Sequence, residues 1–134
     1  MTSVLDASAM LAYLRCEAGR DAVAALFAAD DDTCYAHALN MTEVFYDQRR
    51  AGGEDFAQMR LDALETLGVH TREDLDTGLW QDAGRIKADY ARVSLADCCG
   101  LALARRLGAV FFTTDRHEMD RDEILALCPI RFIR

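Results

Sequence analysis

The stretch Ala109-Val110-Phe111-Phe112-Thr113-Thr114-Asp115 decides how this chain folds. Its first four residues are apolar without a break, and a strand that is apolar on both faces must be covered on both faces, as in a parallel sheet packed between helices. The run then ends on two hydroxyls and an acid, so a buried strand hands over to a polar rim. Just upstream, Gly108 stops a helix that Ser94 opens and that runs through Leu107. Leu95, Cys98, Cys99, Leu101, Ala102 and Leu103 make that helix apolar nearly all round, the pattern of an element buried against a sheet.

The same alternation of strand and helix extends to both ends. Residues 2–6 form a short apolar run closed by an acid, and residues 7–17 follow with helical spacing at Met10, Leu11 and Leu14. Gly19 separates this helix from a second over 20–29, Asp30-Asp31-Asp32 reads as a solvated turn, and 33–36 as a short strand. Asn40 is placed to cap a helix running to about Ala51, ended by Gly52-Gly53. A strongly periodic helix over 54–67, a short strand at 69–71 and helical spacing over 73–90 come next, with a turn or short helix after Asp115 and a last strand over 129–133. There is no tight hairpin signal and no internal repeat. The expected architecture is one α/β domain over residues 1–134, a three-layer α/β/α arrangement with a central, mainly parallel sheet.

Composition bounds the function classes. The chain has 134 residues, 51% of them hydrophobic, with a single proline, enough for one core and unlike disordered, collagen-like or low-complexity chains. No apolar run approaches the roughly 18–20 residues of a membrane span. Met1-Thr2-Ser3-Val4-Leu5-Asp6 has no basic segment ahead of its apolar residues, so no secretory signal is expected and the location implied is the cytoplasm. Five cysteines, Cys16, Cys34, Cys98, Cys99 and Cys128, are odd in number and irregular in spacing, which suits free, buried thiols. Asp and Glu outnumber Lys and Arg by 23 to 15, a formal charge of −8. That balance opposes a nucleic-acid partner, unless the site is locally basic or borrows cations from metal ions.

Where the acids fall matters more than their number. In an open parallel α/β sheet, function gathers beyond the carboxyl ends of the strands. Asp6 ends the first strand and Asp115 ends the clearest one, so the two share a rim if their strands are neighbours. Glu43 and Asp97 each lie three residues after a capping residue, Asn40 and Ser94, and each has a plain reading as a first-turn acid meeting the helix dipole. The apolar surroundings of Asp97 argue for more, because a carboxylate there is costly unless paired or bound to a cation. Four carboxylates in one cleft suit Mg²⁺, or Mn²⁺, which take oxygen ligands together with waters and phosphate. The chemistry that needs such ions is phosphoryl transfer. His37, His70 and His117 are scattered and form no zinc pair; they read as structural or surface residues.

Leu5-Asp6-Ala7-Ser8, Asn40-Met41-Thr42-Glu43-Val44, Ser94-Leu95-Ala96-Asp97 and Phe112-Thr113-Thr114-Asp115-Arg116-His117, in that order and spacing, resemble the PIN-domain ribonucleases, most nearly the VapC-type toxins of bacterial toxin–antitoxin pairs. The resemblance runs from residue 3 to the C-terminus. It implies that Asp6, Glu43, Asp97 and Asp115 are acidic metal-binding residues of an Mg²⁺-dependent endoribonuclease. It also implies that Ser8, with Thr113 or Thr114, orients a carboxylate or a water. An extra acid found in some members could be Glu118 or Asp120. A homodimer and a cognate VapB-like antitoxin, whose tail covers the acidic site, are implied partners.

Fourteen of the fifteen basic residues are arginines, suited to phosphate and bases. Arg49 and Arg50 are the first candidates for RNA contact, with Arg15, Arg20 and Arg116 beside them; a solvated helix face is the plain alternative for each. Two other classes compete. A phosphoacceptor domain needs a lysine beyond a late strand, whereas the sole lysine, Lys87, falls mid-helix. A PIN-like RNA-processing nuclease without an antitoxin, or a module that binds RNA or a partner without cutting, shares the same motifs.

Overall fold

The computed structural model describes all residues, Met1–Arg134. The elements are β1 (Thr2–Leu5), α1 (Ala7–Leu14), α2 (Arg20–Ala28), β2 (Thr33–His37), α3 (Ala38–Gly52), α4 (Glu54–Thr66), β3 (Val69–Arg72), α5 (Thr77–Asp89), α6 (Leu95–Leu107), β4 (Val110–Thr113), α7 (Arg116–Met119), α8 (Asp122–Leu125) and β5 (Ile130–Phe132). All five strands pair in parallel, in the order β3-β2-β1-β4-β5. The chain builds outward from β1 to β3, then returns to lay β4 on the other side of β1. Strand order therefore reverses between β1 and β4, where α/β sheets open a crevice.

The unbroken apolar strands are explained by what covers them. Val4 and Phe111 pack with α5, α6, Met119 and Ile124 on one face, while Leu5, Ala36 and Phe112 pack with α1, α2, Val44 and Leu64 on the other. Adjacent residues of one strand thus serve opposite layers, so alternation with polar residues is lost. α6 buries every residue from Cys98 to Ala104, as its sequence predicts. No helix is long and apolar enough to cross a membrane.

Several local expectations are corrected. The helix expected over 7–17 stops at Leu14, and Cys16 adopts a left-handed backbone with φ 55°. Cys16 is also exposed, unlike the other four cysteines. The helix expected over 73–90 begins only at Thr77, because Asp74 is drawn aside by Arg72 and Arg106, which leaves Leu75 outside the helix and exposed. α3 begins at Ala38 rather than after Asn40. Its cap is His37, whose Nδ1 accepts the Leu39 N–H at 3.1 Å. The other ring nitrogen, Nε2, lies 2.9 Å from the Asp74 carbonyl, so the neutral tautomer with hydrogen on Nε2 satisfies both partners.

Gly19, at φ 94°, lets the start of α2 run against the end of the sheet: a Cβ there would lie 2.7 Å from the Ile133 carbonyl oxygen.

Candidate functional site

The register sets β1 Leu5 beside β4 Phe112, and the Asp6 N–H continues the ladder by donating to the Phe112 carbonyl at 3.1 Å. Asp6 is thereby fixed at the switch point, next to Thr113, with its side chain 1% exposed. It also caps α1: Oδ1 accepts the Ala9 N–H at 2.8 Å and the Ser8 hydroxyl at 2.6 Å. Oδ2 accepts the Thr113 hydroxyl at 2.5 Å. The same hydroxyls receive backbone donors from the next loop, Thr114 N–H to Ser8 Oγ and Asp115 N–H to Thr113 Oγ1, each at 3.0 Å. A hydroxyl has one proton, and both protons here go to Asp6, so the 3.4 Å approach of Ser8 Oγ to Thr113 Oγ1 is left without a donor. Of the two threonines singled out, Thr113 supplies its hydroxyl; Thr114 contributes through its backbone.

The network ties the loop carrying Asp115 to Asp6. Asp115 in turn caps α7 through Oδ1, which accepts the Glu118 N–H at 3.0 Å. Asp97 lies in the first turn of α6, its N–H received by the Ser94 hydroxyl at 3.1 Å, as the capping pattern predicts. Glu43 lies in α3 and is half-buried.

These carboxylates feel one another. Burial pushes the Asp97 carboxyl up to about 8, and the negative charges of Asp6, Glu43 and Asp115 add to the rise while Ser94 opposes it. Asp6 rises to about 6, again chiefly through burial, with its hydroxyl and backbone donors pulling the other way. Burial raises Glu43 as well. Neither Asp97 nor Asp6 is in an ion pair with a basic side chain.

No three His, Cys, Asp or Glu side chains stand close enough to enclose a metal ion by themselves. The donor chemistry nonetheless fits a hard divalent cation. It is all oxygen, several carboxylates share one field without a protein cation, and Mg²⁺ commonly takes only one or two carboxylates and keeps waters for its other positions. Glu118 adds one observation: its Oε2 is buried without a hydrogen-bond partner, and the nearest cation, Arg121, is 3.9 Å away. Asp120 is instead half exposed and sits 3.8 Å from Arg116.

No arginine forms an ion pair with Asp6, Glu43, Asp97 or Asp115. Arg15 is paired with Asp47, Arg49 donates to Glu54 at 2.7 Å, and Arg116 donates to the Arg134 carbonyl while stacking on Phe132. Arg50 and Arg20 have no carboxylate partner and lie over Tyr46 and Tyr13 respectively. Of the histidines, His37 is buried as a cap while His70 and His117 are exposed.

Asn40 was expected only as a cap. It is fully buried beneath the site, its amide bonded to both α1 and α6. The signal lay in the spacing: Asn40, Val44 and Gln48 recur every four residues and are the buried stripe of α3.

The PIN domain family model matches residues 3–122. No curated protein sequence matches the chain. Among solved structures, the fold is similar to VapBC2 from Rickettsia felis bound to a promoter DNA fragment, with TM-score 0.75, 12% identity and 98% of each chain covered. It is similar also to DNA-bound VapBC from Salmonella typhimurium, with TM-score 0.74, 16% identity, 100% of this chain and 99% of that one. VapBC-5 of Mycobacterium tuberculosis, a member of the VapBC family of toxin–antitoxin systems, aligns with TM-score 0.57 and 22% identity over 99% of this chain and 98% of that one. At these identities the likeness is one of fold.

Proposed function

The chain belongs to the PIN-domain family, and from that premise we propose that it is a metal-dependent endoribonuclease acting as the toxin of a toxin–antitoxin pair. One observation carries the reading: the charges of Asp6, Glu43 and Asp115 converge on the carboxyl of Asp97, which burial already disfavours as an ion and which no basic side chain pairs. Such an arrangement is costly for a purely structural role and suits a divalent ion.

In this reading Asp6, Asp97 and Asp115 provide oxygen ligands for Mg²⁺, or Mn²⁺, and Glu43 acts through a water or at a second ion. When bound, such an ion activates water for attack on phosphorus and offsets the charge developing on the phosphate. The Ser8 and Thr113 hydroxyls hold Asp6 by donating to both its oxygens, which keeps those lone pairs from turning away. Arg50 and Arg49 lead the residues that would hold RNA, with Arg15 and Arg116; only Arg50 of these four is free of a carboxylate partner. Two divalent ions would halve the formal charge, which removes the objection that the acidity raised.

We propose a homodimer, a VapB-like antitoxin as partner and the cytoplasm as location. Support for an antitoxin comes from the likeness to VapBC-5 and from the apolar surface that Tyr46 and Met59 leave open, 44% and 62% exposed.

The decisive experiment is incubation of the purified chain, freed of any partner, with RNA in the presence and absence of Mg²⁺ or Mn²⁺. Cleavage is expected only with metal and is expected to vanish in Asp6→Asn and Asp115→Asn. Undiminished cleavage by those variants removes the site assignment. Metal binding without cleavage favours a binding module, and cleavage by a chain whose expression harms no cell favours RNA processing without an antitoxin.

A further inference from the structure

We infer that Asn40 is the positioning residue of this site, a single buried amide that fixes the three acid-bearing helices relative to one another. The inference rests on the metal-site reading above. Asn40 is 0% exposed, in the first turn of α3, three residues ahead of Glu43. Its Oδ1 accepts the N–H of Ala7 at 3.1 Å, and Ala7 directly follows Asp6. Its Nδ2 donates to the carbonyl of Ala96 at 3.2 Å, and Ala96 directly precedes Asp97. One side chain thus spans from α3 to the residue beside Asp6 and to the residue beside Asp97.

The bond polarities select the residue type. The Ala7 N–H is one of the donors that a helix N-terminus leaves without an intrahelical partner, so it needs an acceptor. The Ala96 carbonyl, in the first turn of α6, keeps a lone pair free beside its own helix bond and takes the amide N–H there. An amide offers both from one compact planar group; aspartate lacks the donor, and leucine of similar volume lacks both. Room for the amide comes from α6 itself: a Cβ on Gly100 would lie 3.0 Å from Asn40 Nδ2 and 2.8 Å from Phe111 Cε2.

Carboxylates that share an ion must be held to within a fraction of an ångström, by partners that do not touch the ion themselves. Asn40 holds the backbones on which Asp6 and Asp97 stand, and its own helix carries Glu43. Loss of it lets α1 and α6 shift separately, so the ligands no longer meet at one point.

The test is titration of Mn²⁺ into the whole chain, followed calorimetrically, with thermal melts of each variant alongside. Asn40→Ala and Asn40→Leu are expected to weaken Mn²⁺ binding by about 10–100-fold. Gln48→Ala is the control. It removes another buried amide from α3, one whose bond, to Asp47, stays within that helix. It is expected to leave Mn²⁺ affinity within roughly twofold of wild type. Wild-type affinity in folded Asn40→Leu overturns the inference, and so does an equal loss in Gln48→Ala, which would report general loosening. Should both Asn40 variants fail to fold, hydrogen exchange in the wild-type chain decides: the Ala7 amide is expected to be protected and to slow further with Mg²⁺, and an unprotected Ala7 overturns the inference. Asp6→Asn distinguishes the deeper failure. If it binds Mn²⁺ as wild type does, the metal-site reading itself is wrong, and the role of Asn40 falls with it.

Discussion

Thr113 donates its hydroxyl to Asp6 Oδ2 at 2.5 Å although the two residues stand 107 positions apart in the chain. The bond is buried, and the ionised carboxylate has no proton to give, so Thr113 donates while its oxygen also receives the Asp115 N–H. Asp6 therefore accepts on both carboxylate oxygens, from Thr113 and from Ser8. Donors of this kind favour the charged form of the acid and oppose the effect of burial.

Thr113→Val keeps the shape and removes that donor. Asp6 should then hold its proton to higher pH, and Mn²⁺ affinity should fall by about 10-fold or more, as for other outer-shell partners of a ligand. Stability should drop by about 1–3 kcal/mol because the Asp115 N–H loses its acceptor. Calorimetric titration and urea melts measure the two effects separately.

The raised carboxyls predict an unusual pH dependence for the metal-free chain. Asp6 at about 6 and Asp97 at about 8 keep protons in the folded state that the unfolded chain, near 3.8, has already released. The folded state then binds more protons, so stability falls as pH rises from about 4 through 8. The two shifts make that loss several kcal/mol, the larger share from Asp97. Thermal melts should show the transition lower at about pH 8 than at about pH 5, with the difference reduced in Asp97→Asn and removed by saturating Mg²⁺. A metal-free melt that is flat across this range would contradict the electrostatic picture.

Asp74 works in the opposite sense. Arg72 donates to both its oxygens, at 2.8 and 2.9 Å, and Arg106 adds a third bond at 3.0 Å. Arg72 foremost, then Arg106, hold this carboxyl down at about 2. Such a depressed acid contributes stability that is fully present above its ordinary 3.8 and is lost as pH falls through about 2. Arg72→Gln should therefore be less stable than wild type at neutral pH, and the difference should close as the pH approaches 2. Urea midpoints measured across that window check it; a gap that persists unchanged into strong acid refutes it.

Gly100→Ala forces a methyl against Phe111 Cε2 at 2.8 Å and Asn40 Nδ2 at 3.0 Å. Overpacking of this kind should cost about 1–3 kcal/mol. Denaturant melts give the figure, and a neutral substitution would show that α6 can retreat from α3 freely.

Strand and helix types were legible in the sequence because each layer writes its own pattern. Phe111 and Phe112 are both apolar since each faces a different covering layer, and α6 is apolar all round since it is buried from Cys98 to Ala104. The order and pairing of strands cannot be read from such runs. They arise from β4 returning to the side of β1 away from β2, a choice made by packing over long range. For the candidate site, strand-end logic pointed to Asp6 and Asp115, while Asp97 drew notice from its apolar neighbours. Asn40 escaped because an asparagine ahead of a helical pattern is an ordinary cap. Only the position of His37, one turn earlier, shows that the helix had already begun. The choice between Thr113 and Thr114 was equally closed to sequence, since it depends on which of two adjacent side chains faces β1.

β1 is made first and β4 nearly last, yet the site exists only where they lie side by side. While a ribosome is still extending the chain short of residue 113, Asp6 has no Thr113, Asp115 has not been joined, and the rim on which both depend is unbuilt. Parallel pairing over such separations also closes slowly. Any chemistry that needs the paired rim is thus withheld from every partial chain, and a newly made molecule passes through an interval in which Asp6 and Asp115 stand apart.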